Sequence, residues 1–309
     1  MLRDRLLFGP FFVLAVVGVF WLDELVATVT VGDRTLPAAT VLLPAICVAL
    51  SFASWELSRI LRENGVLAST IMSVAASLAG VLATTAGGSG GPVVSSAAIG
   101  VLLMSLLYFA RDKSFEGIVA GTGGVLLSFT YLGILGGFWI LLRLEHSAWV
   151  CLWVVLVTKS CDIGAYFTGR SLGKRKLAPW LSPGKTQEGL VGGVVTAAIV
   201  SALGLVLLRR VGVAPDLSIA GALATGAAVA LLGQVGDLVA SMFKRDAGRK
   251  DASRSLPGFG GWLDVLDSPL LVDLAHKPVV LLACPGERIA QCRHASRRSA
   301  QKAMTPTSR

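Results

Sequence analysis

The stretch from Gly189 to Leu208, GLVGGVVTAAIVSALGLVLL, contains 20 residues and no charged side chain. Because the hydrocarbon core of a bilayer is about 30 Å thick, a helix needs about 20 apolar residues to cross it. The stretch therefore predicts a transmembrane helix. The whole chain has this character, since 54% of its 309 residues are hydrophobic, 15% are charged and the mean hydropathy is +0.71. A soluble domain has about 25% charged residues, so the composition predicts an integral membrane protein.

Comparable apolar segments recur along the chain and predict an all-α, polytopic membrane protein with eight or nine transmembrane helices. The short alternating segments of a transmembrane β-barrel are absent from the sequence. The segment 117–142 suits one tilted helix and is too short for two. The segment 266–285 is the weakest, because charged residues interrupt it. The predicted segments are 6–22, 36–54, 65–84, 91–110, 117–142, 148–166, 189–208, 217–241 and 266–285.

The distribution of Lys and Arg predicts the orientation. Basic pairs lie before the first segment and after the second and fourth, whereas the alternate loops are acidic or uncharged. By the positive-inside rule the N-terminus is then cytoplasmic, as are the loops 170–188 and 242–264. Arg209 and Arg210 fall on the outer side and are the exception. We thus expect a multi-pass protein of the cell (inner) membrane.

The formal net charge of +9 does not indicate nucleic acid binding. The basic residues lie in short blocks between apolar segments and in the tail 286–309, a pattern typical of membrane topology signals. We therefore expect membrane lipids, and no nucleic acid, as partners. The tail is expected to be disordered, and either is simply solvated or contacts anionic lipid headgroups.

An acidic residue in an apolar segment indicates chemistry. Asp237 lies near the end of the segment 217–241, where an unpaired carboxylate costs several kcal/mol. We therefore expect a cation beside it. Asp264 follows beyond a Gly- and Pro-rich stretch, so a chain that folds back can bring the two carboxylates together. Since Mg²⁺ prefers carboxylate oxygens, Asp237 and Asp264 are the predicted metal ligands.

Two further clusters suit phosphate groups. Lys244, Arg245, Arg249 and Lys250 form a dense cationic set that could neutralise a triphosphate, or could be only a positive-inside flank. Upstream, Lys185 and Thr186 offer a cation and a hydroxyl group to phosphate or metal. Glycines around them would let the backbone approach a ligand closely. The spacing of a P-loop is missing. These glycines are Gly164, Gly169, Gly173, Gly184 and Gly189.

At these residues the chain resembles the phosphatidate cytidylyltransferase family, also called CDP-diacylglycerol synthases. Sequences of this family end in a signature that consists of S-x-x-K-R, K-D, P-G-x-G-G and two aspartates. A second motif precedes it and consists of D-x-G-A-Y-F and S-P-x-K-T-x-E-G. The strong part of the resemblance covers 159–268, and the N-terminal segments agree only in hydropathy and in Glu56 with Leu57. The matching residues are Ser241, Lys244, Arg245, Lys250, Asp251, Pro257, Gly258, Gly260, Gly261, Asp264 and Asp267, with Asp162 to Gly189 upstream.

The resemblance implies transfer of a cytidylyl group from CTP to phosphatidate, giving CDP-diacylglycerol and pyrophosphate in phospholipid biosynthesis, with Mg²⁺ as cofactor. It implies N-terminal transmembrane helices over 1–145, a catalytic transmembrane region with cytoplasmic loops over 146–285, and the tail. Asp162, Asp251 and Asp267 would be orienting acids, although Asp162 and Asp267 could equally be charge partners of nearby Lys and Arg. The implied catalytic residues are Asp237, Asp264, Lys244, Arg245, Lys250 and Asp251, and the implied substrate-binding residues are Asp162, Ser182, Lys185, Thr186, Glu188, Ser241 and Asp267.

Three departures from the family pattern leave other functions open. Phe259 replaces the usual His, Val265 the usual Arg and Ile163 the usual Thr or Ser. A degenerate, inactive homologue is therefore one alternative. An ion-coupled transporter that uses Asp237 is another, and flux without CTP turnover would identify it. The oligomeric state is open, with a homodimer as one alternative.

Overall fold

The computed structural model describes residues 2–31, 34–87, 91–111, 115–249, 252–253, 255–256 and 260–272. Within them, eight helices are long and apolar enough to cross a membrane, which confirms the all-α polytopic membrane fold. A short helix, Trp262–Val272, follows the last of them. The rest of the ninth predicted segment, 273–285, and the tail lie outside the described residues. The α-helices are α1 Leu2–Ala27, α2 Leu42–Glu63, α3 Thr70–Gly87, α4 Pro92–Ala110, α5 Ile118–Leu127, α6 Leu135–Glu145, α7 Ala148–Leu172, α8 Gln187–Val211, α9 Ile219–Asp246 and α10 Trp262–Val272.

The span 118–145 crosses once, as its length predicts. A π-helical segment, Ser128–Ile134, joins α5 to α6, and the three together form one span of 28 residues. Two small antiparallel hairpins complete the described structure. One pairs β1 Thr30–Val31 with β2 Arg34–Thr35, and the other pairs β3 Lys176–Ala178 with β4 Ser182–Thr186. The second hairpin occupies the loop 170–188, for which the sequence predicted no strands.

The core consists of two main apolar clusters. The first joins α2, the span 118–145, α7 and α10 through fully buried side chains such as Leu57, Leu132 and Leu263. The second joins α7, α8 and α9 around Val157 and Val229. Since α7 belongs to both clusters, it connects the N-terminal helices to the helices that carry the polar motifs.

A buried ion-pair network closes one end of the bundle. Arg143, 5% exposed, lies 2.6 Å from an Asp23 oxygen and 3.0 Å from a Glu24 oxygen. Asp23 also accepts hydrogen bonds from the backbone N–H groups of Val41 and Leu42, at 2.8 and 2.9 Å, and so caps the start of α2. The network explains why an arginine occurs on the side that the positive-inside rule leaves poor in basic residues.

The opposite end carries the charged loops. Arg249 lies 2.5 Å from Glu63 at the end of α2, and Asn64 donates a hydrogen bond to Asp246. Arg245 donates to the carbonyl oxygen of Leu181, between β3 and β4, at 3.2 Å. The hairpin and the segment after α9 therefore lie at the same end, as the charge distribution predicted.

Two glycines allow α3 to cross the π-helical segment at backbone contact. A Cβ atom on Gly133 would lie 2.5 Å from the carbonyl oxygen of Ser77, and one on Gly80 would lie 2.7 Å from that of Phe129. Real Cβ atoms do not approach backbone so closely, so larger residues would force the helices apart. Small residues at such crossings are typical of membrane bundles.

Replacing Gly133 with alanine is expected to lower the thermal midpoint of the protein in detergent, because overpacking a tight crossing costs about 1–3 kcal/mol. Gly123, in the same span, has no atom within 4 Å of an added Cβ, so Gly123→Ala is the matched control and should leave the midpoint unchanged. The midpoints of both variants are measured by heating samples to a series of temperatures and quantifying the remaining folded protein by size-exclusion chromatography. Equal midpoints for the two variants would contradict the described crossing.

Candidate functional site

A polar cavity of about 560 Å³ opens between α7, the β3–β4 hairpin, α8 and α9. Apolar residues, including Ala165 and Leu190, form part of its wall. Charged and hydrogen-bonding side chains from three elements, α7, β4 and α9, converge on the rest. This convergence in a membrane bundle marks the cavity as the candidate site. The polar side chains lining it are those of Asp162, Tyr166, Arg170, Lys185, Thr186, Gln234 and Asp237.

Lys185 and Asp237 form an ion pair in this cavity. Lys185 projects from β4, and Asp237 lies on α9 more than two turns before its end. Their side chains are 21% and 31% exposed, although the ammonium nitrogen of Lys185 is itself buried. The pair confirms the expectation that a cation lies beside Asp237. The cation is Lys185, which belongs to the upstream motif and lies on the β3–β4 hairpin.

Thr186 and Glu188 order the backbone beside the cavity. Thr186 is the N-cap of α8, and its hydroxyl accepts a hydrogen bond from the N–H of Gly189 at 3.1 Å. Glu188 accepts from the N–H groups of Lys174 and Arg175 at 3.0 and 3.2 Å. Ser182 begins β4 and is only partly exposed. Direct substrate contact by these three residues remains a prediction.

Some glycines of the upstream motif allow close packing between helices, a role that the sequence analysis did not assign to them. A Cβ atom on Gly164 would clash with the side chain of Thr196 on α8. One on Gly189 would lie 2.9 Å from the carbonyl oxygen of Ala165 on α7. Gly164 therefore serves the contact between α7 and α8 and not the approach of a ligand. Gly169, Gly184 and Gly189 do line the cavity.

Asp162 faces the cavity and also has a charge partner. Its side chain is 49% exposed, and one of its oxygens lies 3.5 Å from the ammonium group of Lys159, one turn earlier on α7. This contact fits the charge-partner alternative without removing the carboxylate from the cavity. Ile163, which departs from the family pattern, is 58% exposed and is not among the residues lining the cavity.

Three cavity residues were not among the predicted site residues. Arg170 donates to the hydroxyl oxygen of Tyr166 at 2.8 Å, which places a second cation at the site. Gln234 lies three residues before Asp237, and its side-chain nitrogen is buried without a hydrogen-bond partner. Helical spacing could have identified these residues, because side chains three or four positions from Asp162 or Asp237 lie on the same helix face.

Lys244 and Asp264 lie in a separate buried cluster. Lys244 is 7% exposed, and its ammonium group lies 2.7 Å from Asp264 and 4.0 Å from Asp267. The second oxygen of Asp264 accepts from the N–H groups of Ala252 and Gly261, both at 2.9 Å. Both oxygens of Asp264 thus have protein donors. The geometry favours a role of Lys244 and Asp264 in holding the segment before α10.

The chain does fold back toward Asp237. A Cβ on Gly236 would clash with the carbonyl oxygen of Asp267, so α10 packs directly on α9 beside Asp237. Asp267 is 4% exposed and accepts from the N–H of Ser268 at 2.6 Å. Its buried position fits an orienting acid better than a direct substrate ligand.

Of the two predicted magnesium ligands, Asp237 presents its carboxylate to the cavity, whereas both oxygens of Asp264 already accept from protein donors. No group of three or more His, Cys, Asp or Glu side chains suited to a metal occurs in the described part of the chain. Mg²⁺ often uses only one or two carboxylates and completes its shell with water and substrate phosphates. The cavity-facing Asp237 can act in this way. The metal role of Asp264 remains a prediction, against which its three protein donors argue.

The remaining predicted residues lie around the end of α9. Ser241 is partly buried on α9. Arg245 is exposed, but its donors go to the carbonyl oxygens of Leu181 and Arg249. Its phosphate contact therefore remains a prediction. Lys250, Asp251 and Phe259 lie outside the described residues.

The sequence matches the model of the cytidylyltransferase family over residues 6–280. The chain belongs to this family. It is 42% identical over 134 residues to a phosphatidate cytidylyltransferase of Haemophilus influenzae, covering 41% of this chain and 46% of that protein. It is 44% identical over 115 residues to the protein of that name from Pseudomonas aeruginosa, covering 37% and 41%. For the protein of that name from Bacillus subtilis the identity is 39% over 152 residues, covering 48% and 55%. The matched segments thus span about half the length of these relatives.

Proposed function

We propose that the protein is a phosphatidate cytidylyltransferase that converts CTP and phosphatidate to CDP-diacylglycerol and pyrophosphate. The observation that carries the proposal is the cavity in which Lys185, Arg170 and Asp237 meet within a membrane bundle. Two cations and an acid suit the binding of phosphate groups, and apolar walls suit a lipid substrate. Membership of the cytidylyltransferase family and the names of the relatives support the same activity.

In the proposed reaction an oxygen of the lipid phosphate attacks the α-phosphorus of CTP. A new P–O bond forms, the bond between the α-phosphorus and its bridging oxygen to the β-phosphate breaks, and pyrophosphate leaves with the bonding electrons. The enzyme must hold two anions together and neutralise the charge between them. Lys185 on β4 and Arg170 on α7 both line the cavity and would supply this positive charge.

Magnesium is part of this proposal, with Asp237 as its protein ligand. Bound Mg²⁺ would supply positive charge to the phosphate oxygens. Lys185 holds the Asp237 carboxylate at the cavity wall. Gln234 and Asp162 also line the cavity, where the Gln234 amide can donate to water or phosphate oxygens and the Asp162 carboxylate can accept from water.

We also propose that the cavity opens to the cytoplasm from the cell (inner) membrane. The basic loops that border it lie at one end of the bundle, as the contact between Arg245 and Leu181 requires. The positive-inside rule makes that end cytoplasmic. CTP is available there, whereas phosphatidate can reach the cavity from the membrane.

The purified protein in mixed micelles should form CDP-diacylglycerol only when CTP, phosphatidate and Mg²⁺ are all present. Lys185→Met should lower kcat/KM by about a hundredfold or more, because it removes a cation from the phosphate site. Lys176→Met is the control, since Lys176 is exposed on the same hairpin and is not among the residues lining the cavity.

Sealed inside-out vesicles should be active with external CTP, and right-side-out vesicles inactive. No product from folded wild-type protein would favour the degenerate homologue.

A further inference from the structure

Glu56 is a fully buried carboxylate in the N-terminal half of the chain. It lies on α2, where its exposure is 0%. A lone acid in such a position is costly unless donors surround it. The structure supplies four of them, and none is a basic side chain. They are the hydroxyl groups of Ser253 and Ser255, at 2.6 and 2.5 Å, and the backbone N–H groups of Trp262 and Leu263, at 3.1 and 2.9 Å.

Two of the donors, Ser253 and Ser255, lie between α9 and α10, and the other two lie at the start of α10. The N–H groups of Trp262 and Leu263 are the first two of α10, which no earlier turn can satisfy. Glu56 thus caps α10 from another helix, and its negative charge favours the positive end of the helix dipole. A Cβ atom on Gly261 would clash with the Glu56 carboxylate, so the backbone lies directly against it.

A second contact fixes the same junction. The ring of Phe52, one turn before Glu56 on α2, stacks on the ring of Trp262 with centroids 5.5 Å apart and an interplanar angle of 13°. Two neighbouring side chains of α2 therefore hold the start of α10, one by hydrogen bonds and the other by stacking. Together they join the start of α10 to α2.

The position of α10 matters for the cavity because α10 carries Asp267. Asp267 packs on Gly236 beside Asp237, and Lys244 lies within 4.0 Å of it. A shift of the start of α10 would move Asp267 against both groups. Errors of about 1 Å in such placement can cost a factor of about 10² in rate.

We propose that Glu56 is a positioning residue of the enzyme, acting through α10 on Asp267 and so on the surroundings of Asp237. Among the described residues, none of its hydrogen bonds goes to a residue that lines the cavity, which separates it from the residues that would bind substrate. The kinetic part rests on the proposed function. The structural part, that Glu56 holds Ser253, Ser255 and the start of α10, stands without it.

Glu56→Gln tests the proposal, because the amide keeps the size but turns a donor toward groups that themselves donate. Amide hydrogen exchange, followed by mass spectrometry, should become about tenfold faster in the peptide covering 252–266 and stay unchanged in α7 and α8. The turnover number should fall by about 10- to 100-fold while KM for CTP changes by less than about threefold. Glu116→Gln is the control, since Glu116 is exposed between α4 and α5.

The possible results separate the two parts. Unchanged exchange at 252–266, or a rise spread evenly over all helices, would overturn the positioning role, since the first shows no hold on the segment and the second only a general loss of stability. A rise in KM for CTP with unchanged kcat would also overturn it. If wild-type protein forms no CDP-lipid, the proposed function fails, and the exchange measurement still decides whether Glu56 holds the segment.

Discussion

Asp237→Asn is expected to lower the turnover number by about 10²–10³-fold in a protein that remains folded. The amide has the shape of the carboxylate but lacks the charge that pairs with Lys185 and that would hold Mg²⁺. Since the chemistry brings together several phosphate groups, loss of a preorganised charge at the cavity should act mainly on the reacting state. The cavity is partly open at Asp237, so the cost to folding should be small in comparison.

The control for this variant lies on the same helix. Asp246 ends α9 and accepts a hydrogen bond from Asn64 at the surface, away from the cavity. Asp246→Asn makes the same chemical change and should alter turnover by less than about twofold. Steady-state rates over a series of Mg²⁺ concentrations, with thermal midpoints for both variants, make the comparison. Wild-type turnover in Asp237→Asn would remove Asp237 from the mechanism.

The transmembrane architecture could be predicted from the sequence because the bilayer thickness sets the length of an apolar segment that crosses it, and few other structures require uncharged segments of that length. Segments such as 189–208 are uncharged over a full crossing, and eight of the predicted segments are long apolar helices in the structure. The cation beside Asp237 was predictable for a similar reason. A carboxylate at that depth needs a partner, whatever the details of the fold.

Tertiary contacts between distant segments could not be predicted in the same way. The hydrogen bonds of Glu56 join residues about two hundred positions apart, and nothing local to α2 indicates their partners. The motif spacing placed Asp264 and Asp237 in one metal site. That joint site remains a prediction, and the packing of Gly236 against the backbone of Asp267 on α10 is a contact that the motif spacing did not indicate.

Two of the apparent exceptions to the positive-inside rule, Arg143 and Arg209, have structural explanations, whereas nothing in the structure explains Arg210. Arg143 is buried between Asp23 and Glu24, so its charge is neutralised within the protein. Arg209 donates to the carbonyl oxygen of Leu217 in the turn between α8 and α9. Charge counts treat every Lys and Arg as equal, whereas buried or bonded cations report packing and not orientation.

Asp264→Asn should also abolish most activity, by a factor of about 10² or more, but for a different reason from Asp237→Asn. Its carboxylate accepts from Lys244 on one oxygen and from the N–H groups of Ala252 and Gly261 on the other. An amide has one acceptor atom, so either the ammonium group or the two N–H groups lose their partner. Leaving such buried donors unsatisfied costs about 1–3 kcal/mol, and we expect the segment before α10 to loosen.

The measurement that separates the two roles of Asp264 combines metal titration with hydrogen exchange. If Asp264 holds the segment, exchange at 252–266 rises and added Mg²⁺ restores no activity. Lys244→Met should then reproduce much of the effect, and the double variant should be little worse than either single one, because the two residues act as one pair. If Asp264 is instead a metal ligand, activity recovers at high Mg²⁺ while exchange stays at the wild-type rate, and that result would contradict the role that its three protein donors indicate.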